Sequence, residues 1–233
     1  MEPGGGGLSA AERANTSVLL PYVPRLTTDW AATCAGDLWQ PITGTMVFVD
    51  LSGFTAMSER LSRLGRIGAE EVTDAIGACF TELLAIAYDA GGGLLKFGGD
   101  ALLLAFRGDD HALRAVWAAA AMRERLREAG KLKTSAGNVT LRMSVGVHSG
   151  TFDCFLVGSP SRELLIAGRA TSEVVAMEHC ASAGQIVVSA STAAALPERC
   201  VGNPLEAGFV LRRAPEWPAR SGTELAEFSS DVP

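Results

Sequence analysis

The sequence predicts an α+β fold with helices packed on an antiparallel-rich sheet. Three observations predict it. Short β-rich apolar runs end at glycines or acids, two longer stretches place apolar residues every three or four positions, and the elements alternate as β, α, β, β, α, β, β, α, β. The chain has 233 residues, 48% of them hydrophobic, and its 26 acidic and 20 basic side chains leave a net charge of −6. Such a length builds a core without disulfides. Its apolar fraction excludes a disordered chain, and its charge argues against a nucleic-acid binder that relies on overall basicity.

In chain order, residues 1–16 are glycine-rich and read as a disordered lead-in. The folded domain is expected over 17–203, with its core at 45–189, and 204–233 reads as a tail or linker with one strand at Phe209 to Arg212. TMVFVD, from Thr45, is a short apolar run suited to a buried strand that stops at Asp50. Between Gly68 and Tyr88, Val72, Ile76, Cys79, Phe80, Leu83, Leu84 and Ala87 keep the spacing of an amphipathic helix. GGGLLKFGGDALLLAF reads as two buried strands joined by a glycine turn. Asp109 and Asp110 stand where a helix cap is needed, ahead of a face of Leu113, Val116, Trp117 and Ala120, and Gly130 closes that helix. VTLRMSVGVHSGTFDCFLVG reads as two strands broken around His148, Ser149 and Gly150, followed by a helix from Gly168 to Cys180 and a last core strand in QIVVS.

Five cysteines (Cys34, Cys79, Cys154, Cys180, Cys200) form no CxxC pair, so neither a disulfide framework nor a zinc site is expected. The N-terminus lacks the order of a signal peptide, and no apolar run reaches the roughly 18 to 20 residues of a membrane span. The expectation is a cytoplasmic protein.

The chemistry concentrates in a few residues. Asp50 ends one strand and Asp100 begins another, so neighbouring strands could bring together two carboxylates, hard ligands suited to Mg²⁺ or Mn²⁺. Taken singly, each acid serves more readily as a turn cap or a hairpin residue. Gly53, Phe54 and Thr55 alter that balance, because a strand turning through glycine into a helix offers backbone N–H groups to phosphate beside the acids. Lys96 lies in an apolar strand and reads as a ligand-binding cation or a snorkelling edge residue. Arg142 reads as a phosphate ligand or a strand-edge cation, and His148, without a partner at ligand spacing, as a satisfied structural histidine.

Together FVDLSGFTAMSERL (Phe48 to Leu61), GGGLLKFGGDALLLAF (Gly91 to Phe106) and LRMSVGVHSG (Leu141 to Gly150) resemble the catalytic domain of the class III nucleotidyl cyclases. The likeness is greatest to the first cyclase domain of soluble, bicarbonate-regulated adenylyl cyclases and of bacterial tandem cyclases. It implies a ferredoxin-like βαββαβ core, head-to-tail pairing of two domains, and ATP or GTP at their interface. It further implies that Asp50, Asp100 and the Leu51 carbonyl hold two Mg²⁺ or Mn²⁺ ions per site, that Gly53 to Thr55 wrap the triphosphate, and that Lys96 touches the purine. In RELLIAGRATSEVVAMEH the family glycine corresponds to Gly168, which puts Leu165 at the base-partner position and Ser172 and Ala176 where an Asn and an Arg would serve the transition state. The resemblance therefore implies an adenylate cyclase, a phosphorus–oxygen lyase converting ATP to cyclic AMP and pyrophosphate, in which this chain supplies the metal-binding half. The second half would come from another cyclase domain, in the same or another chain, or from a homodimer. The rival reading is a degenerate pseudo-cyclase acting as a regulatory or dimerisation module.

Overall fold

The computed structural model describes residues 24–33, 36–159 and 161–217, so the expected lead-in at 1–16 lies outside the described residues. The chain divides into two units, one of residues 1–36 with 219–233 and one of residues 37–218. The first contributes helix α1 (Arg25–Thr33), in which Leu26 and Trp30, four residues apart on one face, are buried.

Two long antiparallel strands, β1 (Trp39–Ser52) and β6 (Arg142–Val157), form the spine of the second unit, pairing without interruption from Trp39 opposite Phe155 to Ser52 opposite Arg142. Strands β2 (Gly92–Gly98) and β3 (Ala101–Phe106) extend the sheet on one side. On the other lie β8 (Ile186–Val188), β10 (Phe209–Leu211) and β9 (Val201–Pro204), giving the order β2-β3-β1-β6-β8-β10-β9. Strand β7 (Glu163–Ala167) pairs with the far end of β6, and β6 and β8 pair in parallel.

Alternation along β1 sends Val47, Val49 and Leu51 into one core. That core is closed by α3 (Arg66–Asp89) through Leu83 and Ala87, and by α4 (His111–Ala129) through Ala115, Val116, Ala119 and Met122. Small side chains let α4 lie close to the sheet. The short helix α2 (Phe54–Ser62) follows β1 directly. Helix α5 (Arg169–Cys180) lies over Gly146 of β6, where an added Cβ would collide with the backbone of Val174 and Glu178. A small helix, α6 (Ala190–Ala194), is capped by Ser189, whose hydroxyl accepts from the Thr192 amide at 3.3 Å. Among the described residues no helix is long and apolar enough to cross a membrane.

The α+β class and the element order stand, with five local corrections. The strand expected from Thr45 to Asp50 begins at Trp39 and continues to Ser52, because β6 pairs along its whole length. The break expected around His148 to Gly150 is absent. Gly146 and Gly150 sit within one strand, Gly146 under α5 and Gly150 beside the His148 ring, and the turn comes between Val157 and Glu163. Asp110 stands at the N-cap of α4 with φ +54 but makes no side-chain cap; Arg114 instead ties the loop by donating to the carbonyls of Ala90, Arg107 and Asp109. The β2 arm, expected to be buried, exposes Lys96, Phe97 and Gly98. Finally, a hairpin of β4 (Lys131–Thr134) and β5 (Gly137–Thr140), as well as β9, form where no strand was expected.

Candidate active site

Asp50 occupies a β1 position flanked on both sides, opposite Ala101 of β3 and opposite Ser144 of β6. Asp100 closes the β2–β3 turn, made possible by Gly99 at φ +71. The Asp100 carbonyl accepts the Leu51 amide at 3.2 Å, so the two acids are neighbours across the β1–β3 seam. Leu51 itself buries its side chain in the core. Burial, then the negative charge of Asp100, then that of Glu178 push the Asp50 carboxyl above its ordinary range.

Two residues beyond the strand position of Leu51, Gly53 adopts φ +94 and starts α2 without any side-chain cap. The first-turn amides of a helix lack intrahelical acceptors, so Phe54 and Thr55 offer donors at the positive end of the helix dipole. Phe54 packs against the core and anchors the loop, while Thr55 is exposed. A Cβ on Gly53 would come 2.8 Å from the Thr140 carbonyl, so glycine is required here by both backbone conformation and space. Arg142, exposed at the start of β6 and opposite Ser52, stands beside this loop.

Glu178 was missed in the sequence. It lies on α5, where the Ser144 hydroxyl donates to its Oε1 at 2.8 Å, and Ser144 is the residue opposite Asp50. The signal was an acid on the same helical stripe as the buried Val174. Among the described residues, no three His, Cys, Asp or Glu side chains converge closely enough to hold a cation by themselves. Glu178 is thus an electrostatic neighbour of the Asp pair.

Lys96 owes its position to a β-bulge at Leu95. Leu94 pairs with Leu104 on the core face, and after the bulge Lys96 pairs with Leu103, whose β1 partner Phe48 shares the face of Asp50. The same shift turns Phe97 towards Phe80 of α3, ring centroids 5.5 Å apart. Lys96 and Leu165 are not brought together along the sheet, since β3, β1 and β6 separate their strands. Leu165 is 45% exposed, and Ser172 and Ala176 are one turn apart on α5 directly after Gly168. His148 is not the satisfied residue expected. Its Nδ1 is buried with no hydrogen-bond partner among the described residues, its ring meets Phe152 edge-on, and burial lowers its pKa against the opposing charge of Glu173.

The chain is similar to known proteins in sequence and fold. The family model described as "Adenylate and Guanylate cyclase catalytic domain" matches residues 41–213. Adenylate cyclase type 10 of Oryctolagus cuniculus is 27% identical over 151 residues, 63% of this chain, and the Homo sapiens protein is 26% identical over the same length. The matched segment is only 9% of the length of those relatives. Among solved structures, the guanylyl cyclase Cya2 is 25% identical with a TM-score of 0.62, the match covering 76% of this chain and 94% of that one. The adenylyl cyclase CyaB from P. aeruginosa shares the fold, at 24% identity and TM-score 0.58 over 74% of this chain and 93% of its own. A model spanning most of the chain, and a sheet that sets two acids beside a glycine-led helix start, lead to one conclusion: the chain belongs to the adenylate and guanylate cyclase catalytic domain family.

Proposed function

We propose that this chain supplies the metal-binding half of an adenylyl cyclase site, completed by a second cyclase domain that carries the groups this chain lacks. The observation that carries the reading is the placement of Asp50 and Asp100 on one seam beside the Gly53 to Thr55 loop. The residues fit a divalent cation: burial, then the charges of Asp100 and Glu178, disfavour the ionised Asp50 carboxylate, and a Mg²⁺ or Mn²⁺ ion at the pair offsets both. With two carboxylates at the seam among the described residues, coordination would be left open for substrate phosphate oxygens, the habit of Mg²⁺ sites. Two bound ions would activate the ribose 3′-hydroxyl and neutralise charge on the phosphates.

The roles of the chain's own groups follow. Asp50 and Asp100, with the Leu51 carbonyl, hold the ions. The amides of the Gly53 to Thr55 loop and the Arg142 guanidinium orient the triphosphate, and Lys96 contacts the base of a nucleotide shared with the partner. The 3′-oxygen bonds to the α-phosphorus, pyrophosphate leaves, and the 3′-proton passes to solvent. Ser172 and Ala176 cannot replace an amide that orients ribose or a guanidinium that meets growing phosphate charge. ATP is favoured over GTP by Lys96 and by similarity to adenylate cyclase type 10. A cytoplasmic setting belongs to the same reading.

The test is production of cyclic AMP and cyclic GMP with Mn²⁺, by the chain alone and mixed with a complete second cyclase domain. The expected result is activity for the lone chain at least about a hundredfold below the mixture, the cost of lost transition-state donors. Asp50→Ala in this chain should abolish the restored activity. Brisk turnover by the lone chain would mean that other residues perform the missing roles. Nucleotide binding that no partner converts into turnover would establish instead a regulatory or dimerisation module.

A further inference from the structure

A groove of about 450 Å³ opens between the C-terminal half of α4, strand β4 and the first residues of β6. Arg123, Arg127, Lys131 and Arg142 line it, and Glu124 is the one acid among its lining residues. In a chain of net charge −6 this is a local reversal of sign.

Helix-end electrostatics explain only part of the cluster. Arg127 lies in the last turn of α4, where a cation suits the dipole, and it is already paired with Glu124. Arg125, outside the groove, is paired with Glu82 and Glu128. Arg123 sits a turn earlier, where the dipole effect has faded. It is half-buried, feels the charge of its neighbour Glu124, and makes no hydrogen bond or ion pair among the described residues. A half-buried guanidinium with idle donors costs free energy that an anion would recover.

The groove also continues the phosphate loop. Arg142 belongs to both, opposite Ser52, and the carbonyl of Thr140, another lining residue, abuts Gly53. We propose that this groove is a second phosphate-anion site, which receives inorganic pyrophosphate from the Gly53 to Thr55 loop by way of Arg142 and holds it on Arg123 and Lys131. The choice of pyrophosphate rests on the cyclase reading, because cyclisation breaks the bond between the α-phosphorus and the bridging oxygen and releases it. Anion binding in the groove does not depend on that reading.

The experiment is calorimetric titration of the full chain with sodium pyrophosphate, metal-free in EDTA and at fixed ionic strength, with sulfate as the comparison anion. Pyrophosphate should bind in preference to sulfate, and Arg123→Gln and Lys131→Gln should each weaken it about tenfold, the worth of a charge-assisted hydrogen bond. Arg123→Lys should retain part of the binding, and thermal melts of all variants exclude unfolding as the cause. Absence of binding at millimolar pyrophosphate overturns the proposal, as does equal binding of sulfate. Loss on Arg142→Gln with no effect of Arg123→Gln also overturns it, since the anion then sits on the loop alone. A chain that binds pyrophosphate as described but never supports cyclisation with any partner would keep the groove and lose the cyclase reading.

Discussion

The Ser144 hydroxyl donates to the Glu178 carboxylate at 2.8 Å, and Ser144 stands opposite Asp50 in the β1–β6 register. One hydrogen bond thus fixes a third negative charge near the Asp50 and Asp100 pair without making it a ligand. Its effect is to deepen the negative potential that attracts a cation. Glu178→Gln should weaken Mn²⁺ binding about threefold to tenfold, measured by electron paramagnetic resonance titration of free Mn²⁺, the scale of one partly screened charge at this range. Ser144→Ala, which releases the carboxylate but keeps it, should have the same direction and a smaller size.

Asp50→Asn removes a charge that burial, then the charges of Asp100 and Glu178, make unfavourable. The metal-free variant should therefore melt at a higher temperature than the parent at neutral pH. Millimolar Mn²⁺ should raise the melting temperature of the parent, by mass action on the folded state, and leave the variant unchanged. A parent insensitive to Mn²⁺ would argue against a cation at this pair.

Gly146→Ala tests how tightly α5 is seated. The added methyl meets the backbone of Val174 and Glu178, so α5 must move off β6. The expected loss is about 1 to 3 kcal/mol, seen as a lower urea midpoint with an unchanged slope. Because Glu178 shifts with its helix, Mn²⁺ affinity should fall in the same variant.

His148 gives the fold a pH dependence with a definite sign. Its folded pKa lies below the ordinary value of 6.5 because of burial, which outweighs the opposing charge of Glu173. The unfolded chain then binds the proton first, so stability is full above about pH 6.5 and declines as pH falls towards the folded pKa. His111 is lowered as well, by burial and by Arg114, and adds to the slope. His148→Phe, which keeps a ring edge-on to Phe152, should flatten part of the stability profile between about pH 7 and 5, measured by urea unfolding at each pH.

Much of this site was legible in the sequence because it depends on local rules. The strand that carries Asp50, the glycine that turns into α2 and the glycine turn before Asp100 are all contiguous signals, and they place each acid to within two residues of its strand end. What was not legible depends on partners distant in the chain. A break was expected around His148, Ser149 and Gly150, yet Gly150 makes room for the His148 ring and Gly146 for α5, so β6 runs unbroken through both. The Leu95 bulge could not be read either, since it is defined only against β3. Without it Lys96 would share the core face of Leu94. Glu178 is 128 residues from Asp50 in sequence and meets it only because α5 crosses the sheet at a glycine.

The bond from the Leu51 amide to the Asp100 carbonyl joins β1 to the residue that closes the β2–β3 turn. Exchange of that proton with solvent requires the turn to part from the central strand, which is the same opening that would separate the two carboxylates. In deuterated water the Leu51 amide therefore reports the integrity of the acidic pair at a single position. A cation bridging Asp50 and Asp100 should slow its exchange while leaving amides at the far, Trp39 end of the strand at their former rates.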